Sequence, residues 1–496
     1  VSVRLSELSG ATADALKNAG ASLLDLMTPT VRLGVTGLAR SGKTVFITAL
    51  VRNLVAGGRL PFFSAMADGR ITRAYLEPQP DDSVPRFAYE EHLAELAKDP
   101  PQWPESTRRI SQLRVTIEYT PAGTVRRTLG PGRLHVDIVD YPGEWLIDLP
   151  LLDMSFADWS PRAVAEARAP QRATAAKPWL AFLSALDPDA PSSEQVALAG
   201  TALFTRYLLE ARAPDSELMA PGPGRFLLPG DLAGSPLLTF FPLPPKAGAG
   251  YQRGTLGAML ARRFESYKTH VVQPFFRDHF ARLDRQIVLI DALSAVNAGG
   301  GALAELQRSM EAILRCFRPG PHTWLSAIMP RRIDRLLFAA TKADHLHHTS
   351  HDRLEVILRL VAEKAIERAS FAGAEVRVMA LAALRSTREA EAREGRQRLP
   401  CIVGVPMPGE RLGGKLYDGR TEAAVFPGDL PADPASLTAL PAPTAGSAVV
   451  GRDASVHFLR FRPPRITLET PSGEEPALPH IRLDRAIEFL LGDRLA

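Results

Sequence analysis

A doubly wound α/β sheet with helical insertions is the fold class this sequence predicts, and three observations predict it. Six short runs rich in Val, Ile and Leu are spaced through the chain, helical patterns follow several of them, and a glycine-rich loop joins the first run to the first helix. The runs fall at Val31–Thr36, Leu113–Tyr119, Leu134–Asp140, Gln286–Asp291, Leu336–Thr341 and Val376–Ala382. Short apolar runs that end in polar or glycine-rich turns are the pattern of strands buried on both faces. Helical periodicity follows at Thr44–Ala56, Ala302–Phe317 and Asp352–Ala369. Strand, helix, strand therefore recurs, and a mostly parallel six-stranded sheet is expected.

The remaining segments divide around that core, which is expected to be assembled from residues 31–56, 113–142 and 286–403. Residues 1–30 read as an N-terminal helix, because Leu8, Ala11, Ala15, Leu16 and Leu23 share one face; docking on the domain is expected, a membrane surface being the alternative. Two gaps, 57–112 and 143–285, are too long for simple connections and read as insertions. The first carries a helix at Ala88–Lys98. The second reads mostly as helix over Pro161–Leu209 and as irregular chain over Pro221–Pro245, a subdomain expected to lie over the site. Residues 404–496 hold an irregular excursion (Pro406–Gly446), a strand-like Val456–Arg462 and a closing helix, Leu483–Leu491.

Composition narrows the functional classes. With 45% apolar residues over 496 positions, the chain can bury a large core without disulfide or metal staples. The 59 basic and 55 acidic residues nearly balance, which argues against a general nucleic-acid-binding surface. Cys316 and Cys401 are far apart and in no metal-binding spacing, which suits a reducing cytoplasm. Neither a signal-peptide pattern nor a bilayer-length apolar run is read, so no direct transmembrane anchor is expected.

Three motifs in chain order carry the chemistry. Gly37-Leu38-Ala39-Arg40-Ser41-Gly42-Lys43-Thr44 matches GxxxxGK[ST] between a strand and a helix, the context that a phosphate-cradling loop requires. Its N–H groups would hold phosphates, Lys43 would bridge the outer two, and Thr44 would give a hydroxyl to Mg²⁺. Asp140-Tyr141-Pro142-Gly143 follows the third run as DxxG: Asp140 would hold the metal or its water, and the Gly143 N–H would sense the terminal phosphate. Asp291 also ends a strand but lacks that glycine, and is read as a cap, with an ATPase-style metal role as the alternative. Thr341-Lys342-Ala343-Asp344 matches [NT]KxD. A carboxylate at Asp344 can accept from N1–H and the 2-amino group of guanine, a pattern adenine does not present, while the Lys342 stem packs along the base and sugar.

Other positions complete the expected site. Backbone N–H groups near Ala382 and Ala383 would meet the guanine carbonyl. Ser106 or Thr107 would reach Mg²⁺ before the second strand, Trp103 would cover base or sugar, and Arg108 would neutralise transition-state charge. Glu144 stands where many GTPases carry a water-orienting glutamine, and its charge implies either slow hydrolysis or a water positioned by another residue. His345, His347, His348 and His351 lack the spacing of a metalloprotease and are read as a loop beside the guanine, with His345 against the nucleotide.

These residues resemble the YcjX-like bacterial P-loop proteins. The resemblance rests on Gly37 through Phe46, Asp140-Tyr141-Pro142-Gly143-Glu144-Trp145, Thr341 through His345, Phe461-Arg462-Pro463-Pro464 and Asp484-Arg485-Ala486, and it extends over almost the whole chain. It implies a P-loop G-domain resembling G-protein α subunits, a cytoplasmic GTP- and GDP-binding protein with intrinsic GTPase activity, and a link to bacterial stress responses. It also implies a pocket that includes Ser41, Gly42, Lys43, Thr44, Val45, Trp103, Ser106, Thr107, Arg108, Lys342, Asp344 and His345. Together the readings lead to a Mg²⁺-dependent GTP hydrolase acting as a switch, with its switch region in 57–112 and an unidentified effector, either soluble or at the inner membrane. The alternatives are a nucleotide-gated adaptor with negligible hydrolysis and an ATP-dependent P-loop protein.

Overall fold

The computed structural model describes residues 28–38, 40–105, 109–123, 130–170, 172–211, 222–245, 250–314, 333–394, 397–412, 414–431, 433–439, 457–468 and 476–496. The expected N-terminal helix, Ser106, Thr107 and Arg108 lie outside the described residues.

The six expected strands are present as β1 (Thr30–Gly37), β3 (Ser111–Tyr119), β4 (Gly132–Asp140), β5 (Arg285–Ile290), β6 (Arg335–Ala340) and β7 (Glu375–Ala380). The sheet has seven strands rather than six, because Ile71–Glu77 adds β2 at one edge. The order is β2-β3-β4-β1-β5-β6-β7. β2 is antiparallel to β3 and β3 to β4, while every pairing from β4 through β7 is parallel. β2 escapes a hydrophobicity reading because its sequence, ITRAYLE, is an edge strand with Ala74 alone fully buried.

Period-two alternation splits the central strands between two cores. Val31, Leu33, Val35, Leu134, Val136, Ile138, Ile287, Leu289, Leu337 and Ala339 face one layer. There they meet α1 (Lys43–Val55), α2 (Tyr89–Leu96) and the closing α9 (Leu483–Leu491). α9 buries Leu483, Ile487, Leu490 and Leu491, each worth about 1.5–3 kcal/mol of transfer free energy. Val139, Val288, Ile290, Leu336, Phe338 and Ala340 face the other way, against α7 (Gly300–Leu314) and α8 (His351–Phe371).

That second core continues without a break into the long insertion. Its helices are α3 (Phe156–Ala167), α4 (Ala173–Ser184), α5 (Glu194–Ala211) and α6 (Leu256–Tyr267), the last running through a π-helical turn (Lys268–Val272) into Gln273–Asp278. The insertion is packed by aromatic rings: Trp159 stacks on Phe264 at 4.8 Å and Trp179 on Tyr207 at 5.5 Å. Beyond β7 a three-stranded antiparallel sheet forms from β8 (Arg388–Glu394), β9 (Gln397–Gly404) and β10 (Ala423–Val425). The strand expected at Val456–Arg462 is absent from its described residues; Phe461 instead makes a single antiparallel bridge to Pro406. Prolines at 406, 408, 463 and 464 remove the N–H groups that a longer ladder would need.

Candidate functional site

At one end of the parallel sheet, β1 stops at Gly37 and α1 starts at Lys43, so the intervening loop gathers backbone N–H groups at a helix N-terminus. Left-handed backbone at Arg40 (φ 65°) and Gly42 (φ 89°) lets the chain turn that tightly. Lys43 Nζ donates to Gly37 O at 2.7 Å, folding the ammonium back over the loop. Ser41 Oγ is buried without a hydrogen-bond partner among the described residues. An orphaned buried hydroxyl costs about 1–3 kcal/mol, so this position is suited to a ligand oxygen or metal-bound water. Val45, in the first turn of α1, is half-buried against the α1-side core.

Asp140 closes β4 opposite Val35, two residues before Gly37, and is 1% exposed. The chain then turns so that Gly143 lies on the phosphate loop: a Cβ there would come 2.5 Å from Gly37 O. Thr44 Oγ1 donates to Glu105 O at 3.3 Å, which brings the chain leading into residues 106–108 against the start of α1. Thr44 and Asp140 offer hard oxygen donors next to a phosphate cradle, a set that suits Mg²⁺. Glu144 is buried in the 3₁₀ segment Gly143–Asp153, and the backbone of the insertion rests directly on it, since a Cβ on Gly224 would meet Glu144 O at 1.9 Å.

This contact continues inward. The Asp148 carboxylate accepts from Gly224 N–H (2.7 Å), Arg225 N–H (3.3 Å) and Tyr267 O–H (2.6 Å), and the Arg225 guanidinium lies 3.2 Å from the Trp145 ring centroid. Burial pushes the Asp148 carboxyl up to about 6, against the opposing pull of Tyr267, Gly224 and Arg225. The start of the insertion, which follows DxxG, is thereby bonded to its later part.

The Thr341–Asp344 motif is held by side chains from distant segments. Lys342 adopts left-handed backbone (φ 60°) and its ammonium pairs with Asp291. Asp291 also caps the following helix, accepting from Ser294 N–H at 3.0 Å and Ser294 O–H at 2.6 Å. Burial opposes its ionisation, yet Lys342 and Ser294 hold the Asp291 carboxyl below its ordinary value. The cap expected at Asp291 is therefore also the anchor of Lys342. Asp344, 3% exposed, accepts from Ser386 N–H at 2.8 Å and Ser386 O–H at 2.5 Å, while Thr387 O–H donates to Asp344 O.

Ser386 is the residue that sequence reasoning missed. Ala382 and Ala383, the positions expected to meet the guanine carbonyl, directly follow β7, and there the Ala382 N–H donates to Ile481 O at 3.1 Å while Ile481 N–H returns a bond to Ala382 O at 2.8 Å. The Ala382 N–H is committed to that bridge. Ala383 is half-buried against the α1-side core. A serine a few residues past the last core strand, able to reach an [NT]KxD aspartate, was the available signal.

His345 is buried with its ring 5.2 Å from Phe461, and Trp103 Nε1–H donates to Phe461 O at 2.7 Å. Trp103 and Glu105 therefore span from the base-recognition end to the phosphate loop. The structure brings together Ser41, Gly42, Lys43, Thr44, Asp140 and Gly143 at one end, and Trp103, Lys342, Asp344 and His345 at the other.

A parallel sheet with a glycine-rich loop at its leading strand, an Asp-x-x-Gly turn on the neighbouring strand and a Thr-Lys-x-Asp turn two strands away on the other side defines a P-loop protein with a G-domain fold and helical insertions. The chain belongs to the YcjX-like family (DUF463), whose model matches residues 31–495. It is 36% identical over 475 residues to the protein named Ras-like GTPase YcjX from Escherichia coli (strain K12), covering 94% of this chain and 96% of that protein. It is 33% identical over 483 residues to the protein of the same name from Shewanella oneidensis, covering 94% of each. Among the described residues no helix is long and apolar enough to cross a membrane.

Proposed function

We propose that this chain is a GTP- and GDP-binding switch with intrinsic, Mg²⁺-dependent GTPase activity. The observation that supports the reading is the close approach of Gly143 to Gly37, which brings the DxxG glycine against the glycine-rich loop. Lys43 would leave Gly37 O for the outer phosphates, and Thr44, Asp140 and a hydroxyl from Thr107 would hold Mg²⁺, which supplies charge neutralisation for phosphoryl transfer. Asp344, oriented by Ser386, would accept from the guanine edge, with Trp103 and His345 bordering the base. Arg108 would add transition-state stabilisation.

The output is motion. Contact of Gly143 with the third phosphate would fix the Gly143–Asp153 segment, and Asp148 would pass that state to the insertion for an effector to read. A cytoplasmic role in a bacterial stress response follows from the family resemblance, and a partner could recruit the protein to the periphery of the inner membrane. The family relatives named as Ras-like GTPases support the reading.

Single-turnover hydrolysis tests it: Mg²⁺-dependent release of phosphate from bound GTP, abolished by EDTA, is expected. GTP that stays intact while binding persists would replace the switch with the nucleotide-gated adaptor, the outcome that Glu144 in place of glutamine favours.

A further inference from the structure

The four histidines after the Thr341–Asp344 motif divide into two pairs. Two are engaged elsewhere: His345 is buried against Phe461, and His351 Nε2 lies 2.9 Å from Ala343 O. The other two, His347 and His348, turn toward Glu389 on β8. His348 Nδ1 is 2.8 Å and His347 Nε2 is 3.9 Å from the same carboxylate oxygen, Oε2, and one ligand atom from each of the three residues lies within 4.8 Å of the others.

Ligands bound at about 2.0–2.1 Å around a tetrahedral metal sit roughly 3.4 Å apart, so small side-chain adjustments bring these atoms onto one ion. The outer groups also suit a metal site. His347 Nδ1 faces Thr349 Oγ1 at 3.0 Å, which directs the opposite ring nitrogen inward, and Glu389 Oε1 faces Arg385 Nη2 at 3.8 Å, which leaves Oε2 for the ion. His348 is 63% exposed on its side chain, so a fourth position opens to solvent.

We propose that His347, His348 and Glu389 bind a divalent transition-metal ion of the zinc class. Two imidazoles and one carboxylate with an open position match Zn²⁺ and Co²⁺, not Mg²⁺ or Ca²⁺. The ion would staple the loop bearing Asp344 to the strand that follows Ser386 and Thr387, a second clasp beside the Asp344–Ser386 bonds. Glu389 lies 41 residues beyond His348, so sequence spacing alone does not reveal the set. The metal site stands on its own geometry; its effect on nucleotide rests on the guanine reading above.

The test is Co²⁺ and Zn²⁺ titration of the full chain, free of any histidine tag, saturated with GDP and a large excess of Mg²⁺ so that the phosphate site cannot take the added ion. One equivalent should bind with the visible absorption of four-coordinate Co²⁺, and His348→Ala and Glu389→Gln should each weaken binding at least tenfold while circular dichroism stays unchanged. Binding as tight in the His347→Ala/His348→Ala double variant, or no binding by the wild type, would overturn the site and leave a surface His–Glu ion pair only. A Zn²⁺-dependent rise in GDP affinity that the variants lose supports the staple; GDP affinity that ignores bound Zn²⁺ overturns the staple but not the metal site. If GDP itself does not bind while Co²⁺ does, the guanine reading fails and the metal site survives.

Discussion

The two ends of the proposed site, one for phosphate and one for base, are built by different means. At the phosphate end the backbone does most of the positioning: Gly42 turns the loop, Lys43 returns to Gly37 O, and Gly143 approaches because it has no side chain. At the base end side chains clasp across long stretches of sequence: Asp344 to Ser386, Lys342 to Asp291, His345 and Trp103 to Phe461. A backbone cradle is rigid and indifferent to which nucleoside follows its phosphates. A side-chain clasp can select, and it can be loosened one contact at a time.

If that contrast holds, mutations at the two ends should fail differently. Lys43→Ala should weaken GDP and GTP alike by about 3 kcal/mol, roughly a hundredfold, because it removes the charge that the loop offers to phosphate. Loss of GDP affinity with any residual ADP affinity untouched would break the division, and fluorescence titration reads both.

Next in size is a pH effect in the contact between the DxxG segment and the insertion. The folded pKa of Asp148 is raised to about 6, above its unfolded value near 3.8, so the protonated form is favoured on folding. Its contribution to stability is present below about pH 4 and is lost as pH rises through 6, with a ceiling of about 3 kcal/mol. Urea unfolding at a series of pH values should show this loss in the wild type and not in Asp148→Asn; parallel profiles would remove Asp148 as the source.

Smaller effects belong to the base end. Ser386→Ala removes one charge-assisted hydrogen bond to Asp344 and should cost GDP about tenfold in affinity while sparing ADP. Asp291→Asn releases the Lys342 ammonium and should cost GDP only a few-fold, about 0.5–1 kcal/mol. Equal losses for GDP and ADP in either variant would mean that these contacts support the fold and not selection; calorimetry with both nucleotides separates the cases.

The same contrast explains what was legible in the sequence. β5 and β6 are buried on both faces and read as nearly continuous apolar runs, β1 and β4 carry apolar residues at every second position, and the phosphate loop is local, its geometry written in consecutive residues. β2 was invisible because an edge strand buries little: Arg73, Tyr75 and Glu77 leave no apolar period. At the base end the motif Thr341–Asp344 was legible and its partners were not. Ser386 is 42 residues from Asp344, Asp291 is 51 from Lys342, and the Phe461 carbonyl is 358 from Trp103. Those pairings are products of tertiary closure. Ala382 was chosen by its place after β7, and the backbone of Ile481 took its N–H.

The central claim, that this P-loop site selects guanine through Asp344, is tested most directly by calorimetric titration of GDP and ADP, with Mg²⁺, into the wild type and Asp344→Ala. The account predicts that the wild type binds GDP far more tightly than ADP, and that the substitution removes the preference by weakening GDP. Equal binding of ADP and GDP by the wild type would contradict it and place the chain among P-loop proteins indifferent to the base.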